Sequence, residues 1–248
     1  VGMQETVEDL GGFDAAAAPY MREGAFGVDG AQLDRLDSII DPLSYVDRLT
    51  MPKLLMNAGM DVFFPPDITR SWLSAVPEPK TFYLCGNATH STYGGPNDFM
   101  DRADVFINAL IHHQAVPKVT WAFGNNGEIT VHQASNHTPT AVRLLMAGSP
   151  DSTRRDFRYS PWAASTLAPL PGSSGRSWLA QVTPKAGHWI AFYVELEYAA
   201  QRPGGPPWLI STEVSVVPQT RPFPQADYHD PNWWNVVLTE AGDVRRLP

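Results

Sequence analysis

Short runs of β-branched and aromatic residues fill the second half of this 248-residue chain and limit the folds open to it. In the run Trp189–Tyr198 every second residue is apolar or aromatic, whereas the other face includes Glu195 and Glu197. A period of two indicates a strand with one buried face. Seven runs of this kind lie between Val119 and Val217, with breakers rich in Gly, Pro and Asn between them. Seven short strands over about 100 residues are typical of an immunoglobulin-like β-sandwich.

The first half of the chain alternates strand-like and helix-like patterns. Apolar strands are predicted at Lys53–Asn57 and Thr81–Cys85, and helices at Ile68–Ala75 and Phe99–His113. Strands that alternate with helices over short links indicate parallel strands covered by helices. The pattern changes near Pro117, so the predicted fold class is α/β plus all-β. The predicted domains are an α/β domain over residues 1–115, the β-sandwich over 116–218 and an irregular extension over 219–248.

Two candidate catalytic residues follow the two strands of the first half. Asp61 lies in the loop after Lys53–Asn57, and His90 ends the polar loop after Thr81–Cys85. Open α/β sheets place their sites at the carboxyl ends of the strands. An acid after one strand and a histidine after the next is the order of the last two members of a Ser…Asp…His triad in α/β-hydrolases. Each residue also has an ordinary alternative, Asp61 as a turn aspartate and His90 as a surface-loop histidine.

The nucleophile of such a triad is missing from the sequence. A nucleophile elbow reads Gly-x-Ser-x-Gly between a strand and a helix, and no such pentapeptide occurs. The segment Gly172–Gly175 contains two serines but lacks this spacing, and it is predicted to be a turn. The sequence also has no Gly-rich phosphate loop and no cluster typical of metal ligands, so neither a cofactor nor a metal is predicted.

The charge and cysteine content of the chain restrict its partners. A net charge of −8 argues against binding to nucleic acid or to anionic membrane surfaces. No apolar run approaches the ~20 residues that a membrane helix requires. The single cysteine, Cys85, lies in an apolar run and is predicted to be a core residue. The charged segment Arg154–Arg158 is predicted to be a solvated turn.

Several short segments of the sequence resemble those of a known protein family. They are Asp-Pro-Leu-Ser-Tyr at 41–45, Arg-Leu-Thr-Met-Pro-Lys-Leu-Leu at 48–55, Asn-Ala-Gly at 57–59, Arg-Asp-Phe-Arg at 155–158 and Trp-Ile-Ala-Phe-Tyr-Val-Glu-Leu at 189–196. In these words the chain resembles the PhoPQ-activated pathogenicity-related family. The resemblance implies the C-terminal part of an α/β-hydrolase domain followed by a β-domain, in a protein that is secreted or periplasmic. It also implies triad positions for Asp61 and His90.

The same resemblance implies that the serine elbow and the first sheet strands of the family precede residue 1. We therefore expect an upstream segment or another chain to complete the sheet. The sequence departs from the family in one loop, because the family's Asn-x-Asp-His-Ser becomes Asn-Ala-Thr-His-Ser at residues 87–91. If the missing acid helps to orient the imidazole, Thr89 in its place would leave His90 differently oriented.

Two functions of different class remain open on the sequence. The first is a portion of a serine hydrolase that acts on an ester or amide of a small molecule or peptide. In this hypothesis Asp61 and His90 lie here and the serine lies upstream. The second is a non-catalytic, degenerate hydrolase fold with a β-sandwich that binds a peptide, a glycan or a cell-surface partner. Fold alone does not choose between the two.

Overall fold

The computed structural model describes residues 2–14, 30–90, 98–125, 127–228, 230, 236–238 and 244–246. The α-helices are α1 (Met3–Leu10), α2 (Gly30–Ile40) and α3 (Asp98–Ile111), and 3-10 helices span Pro42–Arg48, Ile68–Ser71 and Leu73–Ala75. The strands are β1 (Phe13–Asp14), β2 (Lys53–Met60), β3 (Lys80–Thr89), β4 (Val119–Gly124), β5 (Glu128–Gln133), β6 (Ala141–Gly148), β7 (Ala163–Thr166), β8 (Ser177–Gln181), β9 (Ile190–Tyr198), β10 (Trp208–Ser211), β11 (Ser215–Val217), β12 (Val236–Leu238) and β13 (Val244–Arg246).

Most of the strand pairing in the described residues is antiparallel. A five-stranded sheet has the order β10-β9-β6-β7, with β11 also paired to β9, and a three-stranded sheet has the order β4-β5-β8. Parallel pairing joins β2 to β3 and β1 to β12, and β13 completes the small sheet β1-β12-β13. The chain is therefore mainly β, with α-helices confined to three segments of the described residues.

The predicted fold class is wrong in both halves. The expected C-terminal part of an α/β-hydrolase domain needs parallel strands that alternate with helices, but β2–β3 is a lone parallel pair in its sheet. The segment between these strands, predicted as a helix, forms two 3-10 turns because Trp72 takes a φ of −139° and interrupts it. The predicted immunoglobulin-like sandwich is not what the structure shows either, because the five-stranded sheet packs against the three-stranded sheet on one face and against β3 on the other.

The central strand β9 packs into a different hydrophobic core on each of its two faces. One face of β9, with Phe192 and Val194, packs into a core shared with β5 and β8 of the three-stranded sheet. The opposite face, with Ala191 and Tyr193, packs into a second core that includes Phe82 of β3. The five-stranded sheet is thus covered on both sides. Alternation along a strand separates its two faces, but it does not say what covers each face.

The parallel pair β2–β3 is the part of the fold that positions the candidate site. It contains the two strands predicted in the first half, and β3 extends further than predicted, to Thr89. The backbone N–H of Leu84 donates a 2.8 Å hydrogen bond to Ser211 Oγ, which ties β3 to the end of β10. Cys85, predicted to be a core residue, is buried on this strand.

The predicted domain limits at residues 115 and 218 stay predictions. Residues 219–248, for which an irregular extension is predicted, include the short strands β12 and β13. Other residues of this segment, Trp233 and Trp234 among them, lie outside the described residues.

Candidate functional site

The ends of β2 and β3 bring the two candidate residues together. Met60 of β2 pairs with Thr89 of β3, so Asp61 and His90 are the next residues along the two parallel strands. The pairing shifts just before this point, because the two residue steps from Ala58 to Met60 in β2 span the same length as the four steps from Cys85 to Thr89 in β3. A bulge of this kind bends a strand and redirects the side chains that follow it.

The bulge requires two glycines because the strands approach each other closely there. A Cβ atom on Gly59 would lie 2.7 Å from Gly86 Cα and 2.7 Å from Trp162 Nε1, and would also collide with the carbonyl oxygen of Gly86. A Cβ atom on Gly86 would lie 2.9 Å from Trp162 Cγ and from the Tyr193 hydroxyl. Side chains are therefore excluded from both positions, and the Trp162 ring covers the bulge.

A pair of hydrogen bonds fixes the Trp162 segment to the loop that carries His90. The backbone N–H of Trp162 donates to Asn87 Oδ1 at 2.8 Å, and Asn87 Nδ2 donates to the Trp162 carbonyl at 3.1 Å. The oxygen and the nitrogen of the Asn87 side-chain amide thus both hydrogen-bond to the backbone of Trp162. This pairing restrains the β3 bulge three residues before His90.

Asp61 and His90 form a close carboxylate–imidazole pair. His90 Nδ1 lies 2.9 Å from Asp61 Oδ2 and 3.1 Å from Oδ1. The side chain of Asp61 is 12% exposed, whereas that of His90 is 48% exposed. The contact forms with Thr89 in place of the family's acid, so the carboxylate of Asp61 orients the imidazole without it. Whether the pair is catalytic stays a prediction.

The loop after Asp61 holds the carboxylate in place. Asp61 Oδ1 accepts hydrogen bonds from the backbone N–H groups of Phe63, at 2.8 Å, and Phe64, at 3.3 Å. The Phe63 ring lies beside the imidazole, with the ring centroids of Phe63 and His90 4.5 Å apart. The carboxylate is a hydrogen-bond acceptor for the loop and for the imidazole at the same time, which fixes its orientation.

A buried ionic cluster anchors the far end of this loop. Arg155 Nη2 lies 2.5 Å from Asp67 Oδ2, and its Nη1 lies 2.7 Å from Asp9 Oδ2 of α1. Arg221 Nη1 lies 2.6 Å from Asp9 Oδ1. Asp9, Asp67 and Arg155 are all buried. The predicted solvated turn at 154–158 is therefore wrong for Arg155, whose guanidinium links segments distant in sequence.

The pKa values of the two carboxyl groups in the ionic cluster are shifted in opposite directions. Burial raises the pKa of Asp9 to about 7, since desolvation outweighs the attraction of the Arg155 guanidinium. Burial also disfavours the charge on Asp67, but attraction and hydrogen bonds from Arg155 leave the pKa of Asp67 below its usual value. The two carboxyl groups therefore differ in their readiness to lose a proton.

The N-terminal helix contacts the loop directly as well. Thr6 Oγ1 donates to the carbonyl of Phe63 at 3.2 Å and to the carbonyl of Gly2 at 2.8 Å. A cavity of about 20 Å³, the size needed for one water molecule, lies between α1, the loop and Arg155. The sequence analysis did not predict the ionic cluster or the contacts of α1 with the loop. Residues 9, 67 and 155 are far apart in the sequence, so their pairing produces no local sequence pattern. The segment Arg-Asp-Phe-Arg at 155–158, which belongs to the family resemblance, was the one indication in the sequence that Arg155 has a specific role.

A second histidine resembles a catalytic group but lacks an acid. His132 Nδ1 lies 3.0 Å from Ser177 Oγ on the exposed face of the three-stranded sheet. Among the described residues no carboxylate contacts His132, so its imidazole is not oriented as that of His90 is. Within the same residues, no group of three His, Cys, Asp or Glu side chains is arranged to hold a metal ion. The helices among them are too short or too polar to cross a bilayer.

Comparisons with known proteins relate the chain to one family. A model of the PhoPQ-activated pathogenicity-related protein family matches residues 1–158, which include Asp61, His90 and Arg155. Autocrine proliferation repressor protein A of Dictyostelium discoideum is 31% identical over 238 residues, which cover 86% of this chain and 47% of that protein. The chain thus spans about half the length of this relative. No solved structure matches the chain. The extent of the family match shows that the chain belongs to the PhoPQ-activated pathogenicity-related protein family.

Proposed function

We propose that Asp61 and His90 are the acid–base pair of a serine-type hydrolase that acts on an ester or amide. The observation that carries this proposal is the 2.9 Å contact between His90 Nδ1 and Asp61 Oδ2. With Nδ1–H donated to the carboxylate, the lone pair of the neutral imidazole is on Nε2. No described residue hydrogen-bonds this nitrogen, and the half-exposed side chain leaves it open to a substrate.

The pair would act on a hydroxyl nucleophile. Nε2 of His90 takes the hydroxyl proton while the oxygen bonds to the carbonyl carbon of the substrate. The carbon–heteroatom bond then breaks, and the proton passes from Nε2 to the leaving alcohol or amine. Water repeats the sequence on the acyl group and returns the nucleophile. Asp61 stabilises the imidazolium that forms in each half of the reaction.

We assign the nucleophile to a part of the whole protein that these 248 residues do not include. The Asp61–His90 pair occurs without a serine near Nε2 among the described residues. A segment that carries the nucleophile would have to reach the end of β2–β3, whose outer edges have no strand partner among the described residues. Secretion or export to the periplasm is part of the same proposal and follows from the family resemblance.

The test uses the longest natural form of the protein. Fluorophosphonate labelling, followed by peptide mass spectrometry, should identify one modified serine. His90→Ala should abolish this labelling, and Asp61→Asn should reduce ester hydrolysis by about 10⁴-fold, the loss seen when the orienting acid of a triad is removed. His132→Ala is the matched control, because it removes an exposed imidazole that is bonded to a serine but not to an acid.

The results decide between two classes of function. Unchanged hydrolysis in His90→Ala, with the control variant equally active, would sink the assignment. No labelling of the folded wild-type protein would favour the second candidate function, a non-catalytic binding protein. One observation supports that second candidate, since the relative from Dictyostelium discoideum is named for repression of proliferation and not for a reaction.

A further inference from the structure

An apolar pocket lies against the same loop that holds Asp61. Its volume is about 270 Å³, and eight of its nine lining residues are apolar. The lining includes Leu43, Leu49, Leu55 of β2 and Trp72. No charged side chain lines the pocket, so it suits a neutral, apolar group.

Phe64 connects this pocket to the Asp61–His90 pair. Its side chain lines the pocket, and its backbone N–H donates to Asp61 Oδ1 at 3.3 Å. The ring centroids of Phe64 and His90 are 6.2 Å apart. A group seated in the pocket therefore lies one aromatic ring away from the imidazole.

The single polar residue of the lining, Asn57, further limits the occupant. Its side-chain amide forms no hydrogen bond to any other described residue, and it lies on β2 beside Leu55 in the lining. Pockets for small molecules usually combine an apolar lining with a few polar groups that fix orientation. A group the size of a water molecule, such as a methylene, occupies about 30 Å³, so the pocket has room for about nine such groups.

We propose that this pocket binds the acyl group of the substrate, a neutral apolar chain of about six to nine carbon atoms. The proposal rests on the hydrolytic function proposed above, and it names the substrate class as medium-chain acyl esters or amides. The pocket determines which acyl chain is accepted, whereas Asp61 and His90 determine whether the carbonyl reacts.

The first experiment compares p-nitrophenyl acetate with p-nitrophenyl octanoate as substrates of the longest natural form. Leu43→Trp fills the pocket, and Leu36→Trp makes the same change on α2, where Leu36 is 40% exposed and lies outside the pocket. We expect Leu43→Trp to lower kcat/KM for the octanoate ester by about tenfold or more, the scale of discrimination in apolar pockets. The ratio of kcat/KM for octanoate to kcat/KM for acetate should fall in Leu43→Trp, whereas Leu36→Trp should leave kcat/KM for both esters within about twofold. Equal kcat/KM values for octanoate in wild type and Leu43→Trp would overturn the proposal.

The second experiment separates failure of the pocket from failure of the catalytic assignment. Octanamide is titrated into the same protein, and binding is followed by NMR from the methyl signals of Leu55 and the side-chain amide of Asn57. Saturable shifts in wild type that Leu43→Trp removes would support the pocket. Shifts without hydrolysis of either ester would overturn the assignment of the pocket to a substrate and the proposed function together. Hydrolysis with no shift would overturn the pocket alone, and would mean that another part of the protein covers it.

Discussion

Substitution of Gly59 by alanine should separate Asp61 from His90 without touching either residue. The added Cβ would lie 2.7 Å from both Gly86 Cα and Trp162 Nε1, whereas ordinary contacts begin near 3.4 Å. The strands must therefore move apart by at least about 0.7 Å at the bulge, and by more to clear the Gly86 carbonyl oxygen. A shift of this size, passed to the residues that follow, lengthens the 2.9 Å contact between Nδ1 and Oδ2 to about 3.6 Å. At that distance the two atoms no longer form a hydrogen bond.

The expected cost in stability follows from the same crowding. Overpacked positions in protein interiors typically lose about 1–3 kcal/mol, and the neighbour here is backbone that cannot rotate away. Gly148→Ala is the matched control, since Gly148 also lies in a strand but has no atom within 4 Å of its added Cβ. The free energy of unfolding in urea measures the loss. The Nδ1–H signal of His90 in ¹H–¹⁵N NMR measures the contact.

Two results would contradict this reasoning. If Gly59→Ala and Gly148→Ala lose the same free energy of unfolding, the close approach at the bulge does not limit stability. If Gly59→Ala keeps a hydrogen-bonded Nδ1–H signal like that of wild type, the bulge does not position the pair. A loss of stability with an intact signal would separate the structural role of the bulge from its role at the site.

Two further predictions concern the buried ionic cluster. Arg155→Met should lower the free energy of unfolding by about 3–5 kcal/mol, because it removes the buried cation that contacts both Asp9 and Asp67. Arg202→Met, at an exposed ion pair, should cost less than about 1 kcal/mol, and equal losses in urea would contradict burial of the charge. Because the pKa of Asp9 is raised to about 7, its contribution to stability is complete below pH ~4 and is lost as the pH rises through 7. Wild type should therefore lose up to about 4 kcal/mol relative to Asp9→Asn between pH 4 and 8, and parallel pH profiles would refute the raised pKa.

The adjacency of Asp61 and His90 could be predicted from sequence because it depends on local patterns. Each residue follows an apolar run, and both runs lie in the strands β2 and β3. Parallel neighbours end at the same edge of a sheet, so the order of the residues along the chain was enough to predict their meeting. The wider fold could not be obtained in this way.

The arrangement of the β-strands depends on contacts that local patterns do not contain. The face of β9 that carries Glu195 is the more polar face in the sequence, yet Tyr193 and Glu195 on this face are both buried. Tyr193 packs in the core that includes β3, and Glu195 Oε1 lies 3.1 Å from Arg143 Nη1 of β6. A buried glutamate of this kind is recognised only when its cationic partner on another strand is known.

The ionic cluster also concerns the order in which the protein can mature on the ribosome. Its members come from α1, from the loop after Asp61, from the segment after β6 and from Arg221 near the end of the chain. Synthesis proceeds at about 5–20 residues per second, so Asp61 and His90 leave the ribosome several seconds before Arg221. Until Arg221 is made, Asp9 lacks one of its two guanidinium partners, the one that contacts its Oδ1 atom. The loop after Asp61 thus gains its last ionic contacts late, and newly made chains would pass through a period in which the acid and the imidazole are present but the anchor of their loop is incomplete.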